Sequence, residues 1–192
     1  MFITTEETPN PASLKFLADR AVAGEGRSRD FATVDETVGV SPLAERLFAI
    51  SGVTQVFFGA DFITISKDDT VRWQLLKPAV MGVLMEHFAR DLPALSESAT
   101  DAGDAADDSL MAGDADDPVV AQIRELLDTR VRPAVAQDGG DIVFRGFDRG
   151  IVYLHMQGAC AGCPASSMTL KNGVENLLRH YIPEVVEVQA TG

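Results

Sequence analysis

Between Ser96 and Asp117 the chain reads SESATDAGDAADDSLMAGDADD. This stretch holds eight acids and no Lys or Arg, and Leu110 and Met111 are its only large apolar residues. It cannot bury enough surface to offset its own ordering entropy. It therefore reads as a flexible linker, extended by self-repulsion. A structureless loop of this length inside one compact domain would be uncommon. The expectation is two small domains, 1–95 and 118–192, joined by an acidic linker, 96–117. The linker carries −8 of the net −13, residues 1–95 carry −4, and residues 118–192 carry −1.

That charge argues against nonspecific binding to nucleic acid or to an anionic membrane. No apolar run approaches the roughly 18 residues that a membrane helix needs. Neither nucleic acid nor membrane is expected as a partner. The opening MFITTEETPNP has no basic start and no apolar core, so it does not read as a signal peptide. It is acidic, unlike an Arg-rich transit peptide.

The first domain alternates strand-like and helix-like text. FITTEE suits an edge strand, ended by the turn residues of TPNP, and SLKFL suits a second strand. SPLAERLFAI begins with Ser41 as N-cap and Pro42 at the first helical position. VTQVFFGADFITISK reads as a hairpin turning at Gly59-Ala60-Asp61. WQLLKPAVMGVLMEHFARD reads as a closing helix with Leu76, Val80, Val83, Leu84 and Phe88 on one face and Pro78 near its first turn. Nothing here points to catalysis. His87 lies in that amphipathic helix, and no Gly-rich phosphate loop is present.

In the second domain, PVVAQIRELLDTRVRPAVAQ reads as an amphipathic helix through Val120, Ile123, Leu127 and Val131. Pro133 should kink it or start a fresh last turn. Asp138-Gly139-Gly140-Asp141 signals chain reversal. DIVFRGF and GIVYLHMQ read as two strands joined at Asp148-Arg149-Gly150, with Val152, Leu154 and Met156 sharing one face. Ala165 to Tyr181 reads as a helix that buries Leu170, Val174, Leu177, Leu178 and Tyr181, and VVEVQ as a last short strand. The order α-β-β-α-β suits a helix pair on one face of a three-stranded sheet. The fold class is α+β, two small mixed domains.

GACAGCPASSMTLKNGVENLL holds both cysteines of the chain, Cys160 and Cys163. Two cysteines at C-x-x-C spacing do not make a secreted disulfide framework, and a reducing compartment is expected. They sit in a loop of small residues just before a helix N-terminus. The helix dipole and free N–H groups there favour thiolate, the form that binds metal or attacks a disulfide. Two ordinary small buried residues are one reading, which a C-x-x-C in a Gly-containing loop disfavours, and a dithiol–disulfide pair is a second. Against it, Pro164 directly after Cys163 implies a later helix start than in a thioredoxin, and the element order differs. Metal is the third reading. Iron–sulfur clusters and structural zinc usually take four ligands, and one chain offers two thiolates. His155 lies on the strand face opposite Val152, Leu154 and Met156, and His180 is about four helical turns beyond the loop. The simplest completion is a second copy of the chain about a two-fold axis. A shared, exposed site of this kind suits a carrier that passes its metal on.

RPAVAQDGGDIVF followed by GACAGCPASSMTLKNGVENLL resembles the C-terminal NifU-like (Nfu) domain over most of 118–188. The Asp-Gly-Gly-Asp turn, the C-x-x-C-P, the Ser-Ser pair and the Thr-Leu-Lys stand in the family's order. TEETPNPASLKFL, SPLAERLF, GVTQVFFGADFITISK and WQLLKP resemble the N-terminal Nfu domain. The resemblance implies a non-enzymatic iron–sulfur cluster scaffold or carrier. Two subunits would bridge a [4Fe–4S] cluster through Cys160 and Cys163 and deliver it to apo iron–sulfur client proteins, with upstream assembly proteins as further partners. The N-terminal domain would serve client or partner recognition. A dithiol–disulfide oxidoreductase and a zinc-bridged dimer are the other functions considered. The absence of a presequence favours a bacterial cytoplasmic protein over a mitochondrial matrix one.

Overall fold

The computed structural model describes residues 2–24, 27–96, 117–161 and 164–191, with side chains in the last stretch from 168 onward. The chain divides into two compact units, Met1–Ala105 and Ala106–Gly192. The acidic segment expected as a linker lies, over 97–116, outside the described residues. The fold class is α+β, as expected.

The first unit is a five-stranded antiparallel sheet in the order β1-β2-β5-β4-β3. Its strands are β1 (Ile3–Glu7), β2 (Ser13–Ala18), β3 (Arg29–Phe31), β4 (Val53–Phe58) and β5 (Phe62–Lys67). Helices α1 (Pro42–Phe48) and α2 (Trp73–Ala89) complete it. Register puts Leu14 opposite Ile65, Phe16 opposite Ile63 and Phe31 opposite Val56. Alternation therefore gathers these side chains on one face. They form a single core with Leu43 and Leu47 of α1 and with Leu76, Val80, Leu84 and Phe88 of α2. The β4–β5 hairpin turns at the expected Gly59, whose N–H donates to the Phe62 carbonyl at 2.9 Å. The three-residue β3 is too short for alternation to reveal in the sequence.

Ser41 caps α1 as its sequence implies. Its Oγ accepts from Ala44 N–H at 3.0 Å and donates to the Ala94 carbonyl, and the residue is fully buried. Pro78, expected near the first turn of α2, stands sixth in that helix. Its missing N–H leaves the Gln74 carbonyl without its usual partner. Gln74 and Pro78 are both exposed, so solvent can serve that carbonyl.

The second unit begins with α3 (Pro118–Leu126), capped by Asp117, whose side chain accepts from Val119 N–H at 2.9 Å. A π-helical turn, Leu127–Val131, follows, and then α4 (Arg132–Gln137). Pro133 has no N–H for the carbonyl four residues back. The helix widens before it, and Arg132 N–H bonds to Leu127 C=O. This wide turn is the form that the expected kink takes. β6 (Gly140–Asp148) and β7 (Ile151–Gly158) make an antiparallel hairpin. Its turn residues Arg149 and Gly150 both have positive φ, 49° and 86°. α5 (Pro164–Tyr181) then leads to β8 (Glu187–Thr191), which pairs parallel to β7. The sheet order is β6-β7-β8.

Val152, Leu154 and Met156 face a core built with Ile123, Leu127, Val131, Val174 and Leu178. Both helical segments therefore cover one sheet face. Tyr181, expected on the buried side of α5, is 48% exposed. Ile182, one residue on, takes the core position at 1% exposure. The Tyr181 ring instead meets the His180 ring edge-on and carries the Arg130 guanidinium at 5.2 Å.

Two predictions concern the first unit, which contains Trp73, the only tryptophan of the chain. Ser41→Ala removes a cap and leaves two buried backbone groups unpaired. It should lower the stability read by Trp73 fluorescence in denaturant by about 1–2 kcal/mol. The second concerns His87, which is buried at 1% exposure, with Nε2 3.0 Å from the Pro93 carbonyl and no hydrogen-bond partner for Nδ1. Burial holds its pKa below the ordinary 6.5, and the charges of Arg46 and Arg20 act in the same direction. The unfolded chain then binds the proton more readily. Stability should be complete above pH 6.5 and fall as the pH drops from there toward the depressed value. His87→Phe should flatten that part of the Trp73-detected profile.

Candidate metal centre

Cys160 stands two residues beyond the end of β7, in a turn built from small residues. Gly158 has φ 64°, and Ala161 N–H closes back on the Gly158 carbonyl at 3.0 Å. Ala159 N–H donates to the Gly139 carbonyl at 3.2 Å, tying this turn to the start of β6. Cys160 is 5% exposed and belongs to the core of the second unit. α5 starts at Pro164, so the proline occupies the first helical position, where a missing N–H costs least. Cys163, the other expected ligand, lies outside the described residues.

The Asp-Gly-Gly-Asp stretch does more than reverse the chain. Asp138 and Gly139 close α4 through N–H bonds to the Val135 and Ala136 carbonyls, both at 3.1 Å. Gly139 has φ 80°, a region that L side chains rarely adopt. Gly140 pairs with Gly158 across the hairpin. A Cβ at Gly140 would lie 2.6 Å from Cys160 Sγ and 2.7 Å from the Gln157 carbonyl oxygen. The thiol therefore rests against bare backbone at residue 140. Asp141 is 6% exposed and takes a two-pronged grip from Arg132. Arg132 Nε donates to Oδ1 at 2.9 Å and Nη2 to Oδ2 at 2.8 Å. The third prong, Nη1, reaches Asp128 Oδ1 at 3.2 Å. The hydrogen bonds that Arg132 donates to Asp141 hold the guanidinium well above its ordinary pKa, against the effect of burial.

The histidines have other engagements. His155 Nδ1 is 3.0 Å from the Thr191 carbonyl, on the sheet face opposite the core. His180 packs on Tyr181, and His87 belongs to the first unit. Among the described residues, no three His, Cys, Asp or Glu side chains gather closely enough to hold a metal ion. Cys160 offers a sulfur donor that is 5% exposed. The backbone around it carries Gly158, Ala159 and Ala161, and the thiol occupies the space that a side chain at Gly140 would need.

Sequence reasoning found Cys160 but missed its contact with Gly140 and the Arg132–Asp141 pair that follows it. The doubled glycine was the available signal, and a turn accounted for it. The contact that matters joins residues twenty positions apart. Gly140→Ala should strain this contact and destabilise the second unit by about 1–3 kcal/mol. Thermal unfolding followed by far-UV circular dichroism would measure it, and alkylation of Cys160 should accelerate in the same variant.

Two family models match the chain. The one described as "Scaffold protein Nfu/NifU N terminal" matches residues 3–91, and "NifU-like domain" matches residues 123–189. A curated relative from Drosophila ananassae, named "NFU1 iron-sulfur cluster scaffold homolog, mitochondrial", is 54% identical over 189 residues. The alignment covers 98% of this chain and 64% of the relative. The protein of the same name from Drosophila willistoni is 52% identical over 98% of this chain and 63% of its own length. The chain thus spans under two thirds of the curated relatives it matches. A solution structure of a NifU-like protein from Saccharomyces cerevisiae aligns at 32% identity, covering 50% of this chain and 86% of that one. Its TM-score is 0.47. The expected bacterial cytoplasmic location is corrected by these relatives, whose names point to the mitochondrion. That expectation leaned on the character of the first residues, which does not identify a compartment. With both models matched in order, the chain belongs to the Nfu/NifU family, an Nfu N-terminal domain followed by a NifU-like domain.

Proposed function

We propose that the protein is an iron–sulfur cluster scaffold and carrier, not an enzyme. In this reading Cys160 and Cys163 from two copies of the chain hold a [4Fe–4S] cluster as cargo. The cluster then passes to the cysteines of apo iron–sulfur client proteins, and upstream assembly proteins supply it. Residues 1–95 and 118–192 act as separate modules joined by the acidic segment 96–117, the first recognising clients or partners.

The observation that carries this reading is the NifU-like match over 123–189, which encloses both cysteines. The names of the relatives, which include the words "iron-sulfur cluster scaffold", support it. Chemistry supports it as well. Thiolate is the usual protein ligand of such clusters, and four are usual. Two per chain make half a set, and a two-fold axis supplies the rest. A neighbouring helix N-terminus stabilises thiolate. The turn around Cys160 offers small residues where bulky cargo must approach. A site divided between two subunits opens when they part, which suits delivery better than permanent residence.

The test is anaerobic purification followed by size exclusion, with protein and visible absorbance recorded together and iron, sulfide and zinc assayed on each peak. The expected result is a brown dimer containing iron and acid-labile sulfide, with colour and dimer both lost in Cys163→Ala. A cluster held by the monomer, or a chain that takes up no iron and sulfide on reconstitution, would overturn the proposal. A colourless zinc dimer would do the same.

A further inference from the structure

Arg132 and Asp141 form an ion pair in which Asp141 is buried and Arg132 is partly exposed. A buried ion pair is weak evidence for stability, since apolar residues of similar volume often serve as well. A two-pronged guanidinium–carboxylate contact supplies geometry, fixing the orientation of the carboxylate and of the backbone that carries it. Here the gripped residue directly follows Gly140, the seat of the Cys160 thiol. Gly139, one residue earlier, accepts the Ala159 N–H, so the same short backbone holds the cysteine turn from two sides. Arg132 itself stands where the π-helical turn ends, and Asp128 inside that turn takes its third prong. Single π turns of this kind occur frequently at functional sites.

We infer that Arg132 is a positioning residue for the Cys160 thiol. Its fork on Asp141 holds the Gly139–Gly140 backbone as the wall against which the sulfur is set. Asp128 steadies the fork from the helix side. The functional weight of this placement rests on the reading of Cys160 as a cluster ligand. The placement itself belongs to the cluster-free chain and is measurable there.

The experiment follows alkylation of Cys160 by iodoacetamide in the full-length, reduced, cluster-free protein under native conditions. Fragmentation mass spectrometry separates Cys160 from Cys163. Three variants are compared with the unaltered chain. Arg132→Met removes the fork and keeps most of the volume. Arg132→Lys keeps the charge and loses the two-pronged geometry. Val188→Ala weakens the same core at the β8 pairing with Val152, away from the cysteine turn. In Arg132→Met, alkylation at Cys160 should rise about tenfold through easier local opening of the turn. Arg132→Lys should rise in the same direction, while Val188→Ala should stay at the unaltered rate. Equal rates in Arg132→Met and Val188→Ala would reduce Arg132 to a general stabiliser and overturn the inference. If Arg132→Met does not fold, an unaltered Cys160 rate in Arg132→Lys would overturn it equally. Failure of the cluster reading would show elsewhere, as an unaltered chain that takes up no iron and sulfide, and would leave these rates untouched.

Discussion

The second unit depends on strand β7, because β7 is paired on both sides and its end delivers the cysteine. It runs antiparallel to β6 and parallel to β8. An antiparallel neighbour needs only the tight turn at Arg149-Gly150. A parallel neighbour needs a crossover of a dozen residues or more, usually a helix. α5 is that crossover, and the loop that starts it must lie at the carboxyl end of β7. The C-x-x-C occupies that loop. One face of β7 carries Val152, Leu154 and Met156 into the core, and burying each contributes about 1.5–3 kcal/mol. The hydrophobic register that holds the strand therefore also sets where Cys160 emerges.

Around that cysteine the chain trades local preference for contact geometry. Glycine in a strand costs roughly 0.5–1 kcal/mol relative to alanine. A methyl at Gly140 would press on both Cys160 Sγ and the Gln157 carbonyl, and such overpacking costs about 1–3 kcal/mol. The second cost exceeds the first, so bare backbone wins at this position. Arg132 follows the same logic. Its charge is partly exposed, and its worth lies in the orientation it imposes on Asp141 and on the two glycines before it. The π-helical turn ahead of Pro133 is part of this arrangement, since it ends immediately before the residue that carries the fork.

The first unit has its own core and holds itself together by different means. Its sheet is antiparallel throughout, with α1 and α2 packed on the face that carries Leu14, Phe16, Ile63 and Ile65. Ser41 joins α1 to the carbonyl of Ala94 by one hydroxyl that serves as both cap and donor. Burial of His87 makes the stability of this unit depend on pH. None of these features carries metal chemistry, in keeping with a sequence that places both cysteines in the other unit.

Much of this protein was legible in its sequence. Strand-like text marked β2, a hairpin signal at Gly59 marked β4 and β5, the shared face of Val152, Leu154 and Met156 marked β7, and the 3.6-residue period marked α2 and α3. Ser41-Pro42 marked a helix start, and Cys160-Ala-Gly-Cys163 with the doubled glycine before β6 marked the family. These are local signals, read from neighbours within a turn or a strand. Tertiary structure decided the rest. It buried His87, left Tyr181 outside because Ile182 took the core position, and set Pro78 on a solvated face where its missing bond does little harm. It alone placed Cys160 against Gly140 and Arg132 on Asp141. The thiol contact joins residues twenty apart and the fork spans a helix end, a turn and a strand start. Such pairings leave no periodicity in the text, because they arise only when separate elements close on one core.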